Sequence, residues 1–126
     1  MGIAHACQNP QTILDAARRY LRRGWVPVYV EPGLKGPRRK GWQKEILTED
    51  DLPRHFNRPG NIGLLLGEPS HGLTDADLDC PEAVELGDAF LPHTLAITGR
   101  PSAKRSHRWY YSDLPCTRQF RDPYTN

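Results

Sequence analysis

Three aspartates alternate in the segment Leu73-Thr-Asp75-Ala-Asp77-Leu-Asp79. In an extended chain, residues two apart project to the same side, so the three carboxylates line one face while Ala76 and Leu78 face the other. Carboxylates that close repel one another unless a cation sits between them. Magnesium or manganese, held by one or two carboxylates together with waters and substrate phosphates, is the arrangement that phosphoryl and nucleotidyl transfer use. The competing reading is a solvated acidic strand end in which Asp79 caps the next helix. His107 opens the aromatic run Ser106-His107-Arg108-Trp109-Tyr110-Tyr111, where an imidazole can hydrogen-bond or charge-pair with a phosphate. Arg100, Lys104 and Arg105, just upstream, are placed to share that load. The other histidines, His5, His55, His71 and His93, have no partner at metal-ligand spacing and read as structural or incidental.

A second charged segment runs from Lys35 to Lys44, with five basic residues, no acid and a tryptophan. Lys35, Arg38, Arg39, Lys40 and Trp42 suit contact with a nucleic-acid backbone through charge, with Trp42 available for base stacking. The plainer alternative is a solvated turn whose long side chains lie along the surface.

These residues need a scaffold. Thr12 is expected to begin a helix, with Asp15 completing a capping box, Ile13, Ala16, Ala17, Tyr20 and Leu21 on one face, and Gly24 as the stop. Trp25 to Val30 is β-branched and aromatic enough for a strand, and Pro27 places it at an edge or a strand start. Thr48 with Asp51 predicts a short capped turn or helix, ended by Asn57-Arg-Pro-Gly60. Ile62 to Leu66 reads as a buried strand and Leu73 to Asp79 as the next one. Pro81 opens a helix with Ala83, Val84, Leu86 and Phe90 as its apolar face, although Gly87 lies inside it. Thr94 to Thr98 and Arg108 to Ser112 are expected to form a hairpin across a loop from Gly99 to His107.

The chain has 126 residues with 37% hydrophobic and 25% charged residues, a balance that excludes disorder and permits one domain. Its 12 prolines and 11 glycines, spread without a period, exclude collagen-like order and coiled coil. No stretch approaches the roughly 20 apolar residues that span a bilayer. Cys7, Cys80 and Cys116 are odd in number and far apart, so reduced thiols in a cytoplasmic protein are expected. The net charge of +2 is too mild to announce nucleic-acid binding on its own.

Taken in order, these features resemble the N-terminal primase/polymerase domain of bifunctional replication proteins, a family of the archaeo-eukaryotic primase superfamily that is frequent in plasmids, phages and prophages. The resemblance is carried by a helix ending in Arg22-Arg-Gly-Trp25, Lys35-x-Pro37, Gly41-Trp42, Asn61-Ile-Gly63, Gly67, His71-Gly72-Leu73, Asp77-Leu-Asp79, Leu91-Pro92-x-Thr94, Thr98-Gly99-Arg100 and Ser106-His107. It runs from about Thr12 to Ser112. It implies an α/β (α+β) fold with a mixed sheet flanked by helices, and metal-dependent, template-directed nucleotidyl transfer in DNA replication. Asp77 and Asp79 would hold magnesium or manganese, with Asp75 as an extra acid, and His107 would contact the phosphates of the incoming nucleotide. The implied partners are a DNA template, an NTP or dNTP and a helicase region in the intact protein. The family's third motif is another acid on a later strand. Only Asp113 and Asp122 follow His107, both in Pro-containing turn sequence, so residues 1–126 are expected to form one partial catalytic domain. The rival readings are a nucleotide- or DNA-binding remnant without turnover, an Asp-x-Asp phosphatase of the haloacid dehalogenase type and an Asp-x-Asp glycosyltransferase. The phosphatase motif belongs near an N-terminus and continues into Thr or Val, whereas here a helix and two strands come first and Cys80 follows Asp79. Nothing else in the sequence supports the glycosyltransferase.

Overall fold

In a computed structural model, the described residues are 2–7, 10–114, 116–121 and 123–124, with side chains described from residue 11 onward. Strand β1 (Gly2–Cys7) precedes helix α1 (Pro10–Arg22) and β2 (Pro27–Val30). Helix α2 (Leu52–His55), β3 (Gly60–Leu64) and β4 (Leu73–Asp77) follow, and then α3 (Pro81–Phe90), β5 (Ile97–Arg100) and β6 (Ala103–Tyr111). The strands form two three-stranded sheets, β1-β3-β2 and β4-β6-β5. Every pairing among the described residues is antiparallel. The α+β class therefore holds, but two small sheets replace the single mixed sheet. The short connection from β3 to β4 allows no parallel crossover, which takes a dozen or more residues.

Helix α1 begins two residues ahead of Thr12, at Pro10, a residue whose fixed φ and missing N–H suit a first turn. The Asp15 carboxylate accordingly bonds Gln11 and Arg18 along the helix rather than serving a cap. Gly24 ends the helix as expected, at φ 83° with its N–H donating to the Leu21 carbonyl. Pro27 starts β2 at an edge of its sheet. Thr48 and Asp51 close the expected turn, in which Asp51 Oδ2 accepts from the Thr48 N–H at 2.8 Å and from its hydroxyl at 2.7 Å, while α2 begins only after it, with Asp51 as an N-cap that makes no side-chain cap bond.

One apolar core joins the two sheets. Ile13, Ala16 and Ala17 of α1 meet Tyr29, Leu47, Leu52, Phe56, Ile62 and Leu64, and from the second sheet Leu73 and Trp109 enter the same cluster. Tyr20 and Leu21 pack against it, half-buried.

The second sheet departs more from expectation. The hairpin of β5 and β6 is present, but its turn is only Pro101-Ser102, and β6 starts at Ala103 because the charged run Ala103 to His107 pairs with β5, while β4 takes up the other side of β6 from His107 to Tyr111. Helix α3 does not bury its expected apolar face. Gly87 is its one buried residue, while Leu86 is 52% and Phe90 79% exposed. Arg108, 2% exposed, takes the space beneath the helix, and a Cβ on Gly87 would stand 2.9 Å from its Nε.

Candidate metal and nucleotide site

The register of β4 against β6 sets Asp77 opposite His107 and Asp75 opposite Trp109, and Thr98 of β5 faces His107 from the other side. Side chains on one face of paired strands are close neighbours. Asp75 Oδ2 lies 2.8 Å from His107 Nδ1, and Asp77 Oδ1 lies 3.6 Å from the same nitrogen. Asp75, Asp77 and His107 each offer a ligand atom within 4.8 Å of the others, the spacing of a metal site.

The three groups differ in setting. The Asp75 side chain is 6% exposed, and its Oδ1 is buried without a hydrogen-bond partner. Leaving a carboxylate oxygen in that state is costly unless something completes it. The half-exposed Asp77 is raised above the usual carboxylate range by burial, opposed by His107 and reinforced by Asp79 and Asp75. His107 is raised above its ordinary value, first by its hydrogen bond to Asp75, against the effect of burial. Its ring lies 6.2 Å from that of Trp109, whose Nε1–H is fixed by Thr98 Oγ1 at 2.8 Å. With Nδ1 engaged by Asp75, Nε2 is the nitrogen left to a ligand.

Residues named from the sequence separate into those gathered here and those set elsewhere. Asp79 is exposed and lies beyond the end of β4, outside the cluster, since the chain turns there toward Pro81. It does not cap α3 either: the N-cap is Cys80, with no side-chain bond. Asp75, the extra acid of the sequence reading, is the one bonded to His107. Arg100 is near enough to favour the charged form of Asp77 and to oppose protonation of His107. Lys104 is exposed. Arg105 is carried away by an irregular register between Thr98 and Arg100, where Arg105 takes φ 60°. Its guanidinium pairs with Asp88 of α3 at 3.3 Å, beside Arg108 at 2.8 Å from the same carboxylate. Asp113 is exposed beyond β6, and Asp122 lies outside the described residues.

In the basic segment, Lys35, Arg38, Arg39 and Lys40 are exposed. Arg39 pairs with Glu45, and Trp42 packs half-buried on Val26, Val28 and Leu65, so part of its ring serves the core. The remaining histidines fit the structural reading where their side chains are described. His71 stacks against Gly24, and His55 sits between Glu45 and Arg39. Among the described residues, no helix is long and apolar enough to cross a membrane.

The donor set suits a hard divalent cation: two carboxylates, one with a buried unpartnered oxygen, beside an imidazole. No curated protein and no solved structure matches the chain. Residues 17–124, however, match the family described as bifunctional DNA primase/polymerase, N-terminal. With that match running over most of the chain, from α1 past β6, the protein belongs to the family of bifunctional DNA primase/polymerase N-terminal domains.

Proposed function

We propose that the chain carries out metal-dependent, template-directed nucleotidyl transfer in DNA replication, in the setting of a plasmid, phage or prophage element. The observation that carries this reading is the Asp75, Asp77 and His107 cluster, with the buried Asp75 Oδ1 left without a partner. Asp75 and Asp77 would hold magnesium or manganese, with Asp79 near enough to add negative charge at Asp77. Bound there, the ion supplies neutralisation of the triphosphate and a lowered pKa at the attacking 3'-hydroxyl.

The chain's own groups then have distinct tasks. Asp75 accepts the His107 Nδ1–H and fixes the ring, so that Nε2 donates to a phosphate oxygen of the incoming nucleotide. Arg100 adds positive charge to the same end of the sheet. The 3'-hydroxyl gives up its proton to solvent water as its oxygen bonds the α-phosphorus, the bond to the bridging oxygen breaks and pyrophosphate leaves in line. Lys35, Arg38, Arg39 and Lys40 are the contacts for the template backbone, with the exposed part of Trp42 available to a base.

Calorimetry of manganese-dependent nucleotide binding tests the site. The unaltered chain should bind, while Asp75→Ala/Asp77→Ala and His107→Ala should each lose at least about tenfold in affinity, as expected for loss of charged hydrogen bonds or a metal ligand. Equal affinity in all three folded proteins would refute the site. Pyrophosphate release in the presence of template and primer separates turnover from the binding-only alternative.

A further inference from the structure

A cavity of about 270 Å³ opens beside the basic segment, with Tyr29, Arg39, Arg54, His55 and Arg58 in its wall. Its floor is built rather than incidental. The Tyr29 hydroxyl donates to the Pro59 carbonyl at 2.8 Å, and its ring meets Phe56 edge-on at 6.1 Å. Gly60 leaves the space the ring needs, since a Cβ there would stand 2.5 Å from Tyr29 Cε2. Arg58 lies over this fixed ring, 4.3 Å from its centroid. A guanidinium held on an aromatic face is oriented at little further entropic cost, with its N–H groups left for a ligand.

The charges around it are unequal. Arg39 is taken by Glu45 and Arg54 by Asp51. Arg58 has no acidic partner among the described residues, only a weak 3.5 Å contact to Asn57 Oδ1. Glu31, the only acid in the wall, is directed to the Arg38 N–H at 3.4 Å. His55 is lowered below its ordinary value, first by burial and then by Arg39, with Glu45 and Asp51 opposing. The cavity has room for a phosphate group and part of the chain that carries it. Pro37 and Arg39 belong both to its wall and to the exposed loop of Lys35, Arg38 and Lys40, so the positive surface continues outward.

We infer that this cavity seats a backbone phosphodiester of a single-stranded nucleic acid, with Arg58 as the anchoring residue. The inference rests on the proposed function for the kind of polymer involved and adds Tyr29 and Arg58 to its path. The continuous charge from cavity to loop favours a strand over a free phosphate.

The test is fluorescence anisotropy of a short labelled single-stranded oligonucleotide, titrated at several salt concentrations, with manganese-dependent nucleotide binding measured on the same samples. Arg58→Ala should weaken oligonucleotide binding roughly fivefold, irrespective of base sequence, and lower the salt slope by about 0.7. Arg58→Lys, which keeps the charge but loses the stacked plane, should recover part of the loss and serves as the second variant if the alanine chain does not fold. Nucleotide binding should be unchanged in both. Oligonucleotide affinity equal to that of the unaltered chain overturns the inference, as does an unaltered chain with no affinity for the oligonucleotide. Nucleotide binding that persists through either result leaves the proposed function standing. Inorganic phosphate that binds while the oligonucleotide does not would assign a free-anion site and overturn the strand assignment.

Discussion

The two sheets face a common core but are built from different materials. Around β1-β3-β2, the buried residues include Val26, Val28, Tyr29, Val30, Ile62, Leu64 and Leu65, closed by α1 and by Leu52 and Phe56 of the α2 region, with buried Ser70 accepting the Val26 N–H. Around β4-β6-β5, the buried set includes Ser106 and Arg108, and the large apolar residues Leu86, Phe90, Leu95 and Tyr111 are exposed. The first half is held by apolar area, which is strong and indifferent to direction. The second depends on paired charges and hydrogen bonds, which stabilise less but place groups accurately. The candidate metal cluster sits on the second half, where Asp75 is kept buried with one oxygen unsatisfied. A region that stores such unsatisfied polarity leans on a neighbour whose packing is secure.

The largest expected effect lies in the apolar half. Phe56 is fully buried, and its ring braces Tyr29. Phe56→Ala removes the transferred area and leaves a cavity, at a cost of about 4 kcal/mol. Against the typical 5 to 15 kcal/mol of a whole domain, that leaves the chain near unfolding, and urea denaturation measures it. A loss of less than about 1 kcal/mol would erase the distinction drawn between the halves, since large losses of this kind follow only from burial.

A smaller effect, opposite in sign to what local propensity alone predicts, is expected at Gly87. Helix propensity alone makes Gly87→Ala stabilising by about 1 kcal/mol. The new Cβ would stand 2.9 to 3.0 Å from the Arg108 guanidinium, which is buried and tied to Asp88. Overpacking costs about 1 to 3 kcal/mol, so a net loss of about 1 kcal/mol is expected. In an Arg108→Ala background the obstruction is gone and the same substitution should become stabilising. Denaturation of the four chains of this cycle reads the sign change directly. The same sign in both backgrounds would mean that Arg108 does not set the packing of α3.

Gly87 also marks where sequence reading reached its limit. The glycine was legible as a weak point in α3, but its reason is the guanidinium of a residue 21 positions later. Signals that act within a few residues were legible: the Gly24 stop, the Pro27 edge, the Thr48 and Asp51 turn and the Pro81 start. Strand β1 was missed because Gly2 to Cys7 is short and carries no turn signal of its own; its pairing with β3 makes it a strand. Strict alternation put Asp75, Asp77 and Asp79 together, whereas β4 stops at Asp77 and the register selects the first two. Arg105 looked like a neighbour of His107 until the irregular register turned it toward Asp88. Arg58 carried no motif, because it lies in the bend before β3 and the tyrosine beneath it is on β2, far away in the sequence.

The last and smallest effect concerns the place where the apolar half does use charge. Asp51 is lowered to about 2, first by the Thr48 N–H and hydroxyl and then by Arg54. A carboxyl lowered on folding contributes stability that is fully present above its ordinary value near 3.8 and is lost as the pH falls through about 2. Asp51→Asn should therefore melt at a slightly lower temperature than the unaltered chain near neutral pH, with the difference closing below pH 4 and gone near pH 2. The Phe56→Ala deficit, made of apolar contacts, should persist across the same range for as long as both chains remain folded. Thermal melts of the three proteins along one pH series test both statements together. An Asp51→Asn difference that survives at pH 2 would show the side chain acting through shape rather than charge, and a Phe56→Ala deficit that fades with acid would place titrating groups inside the half described here as apolar.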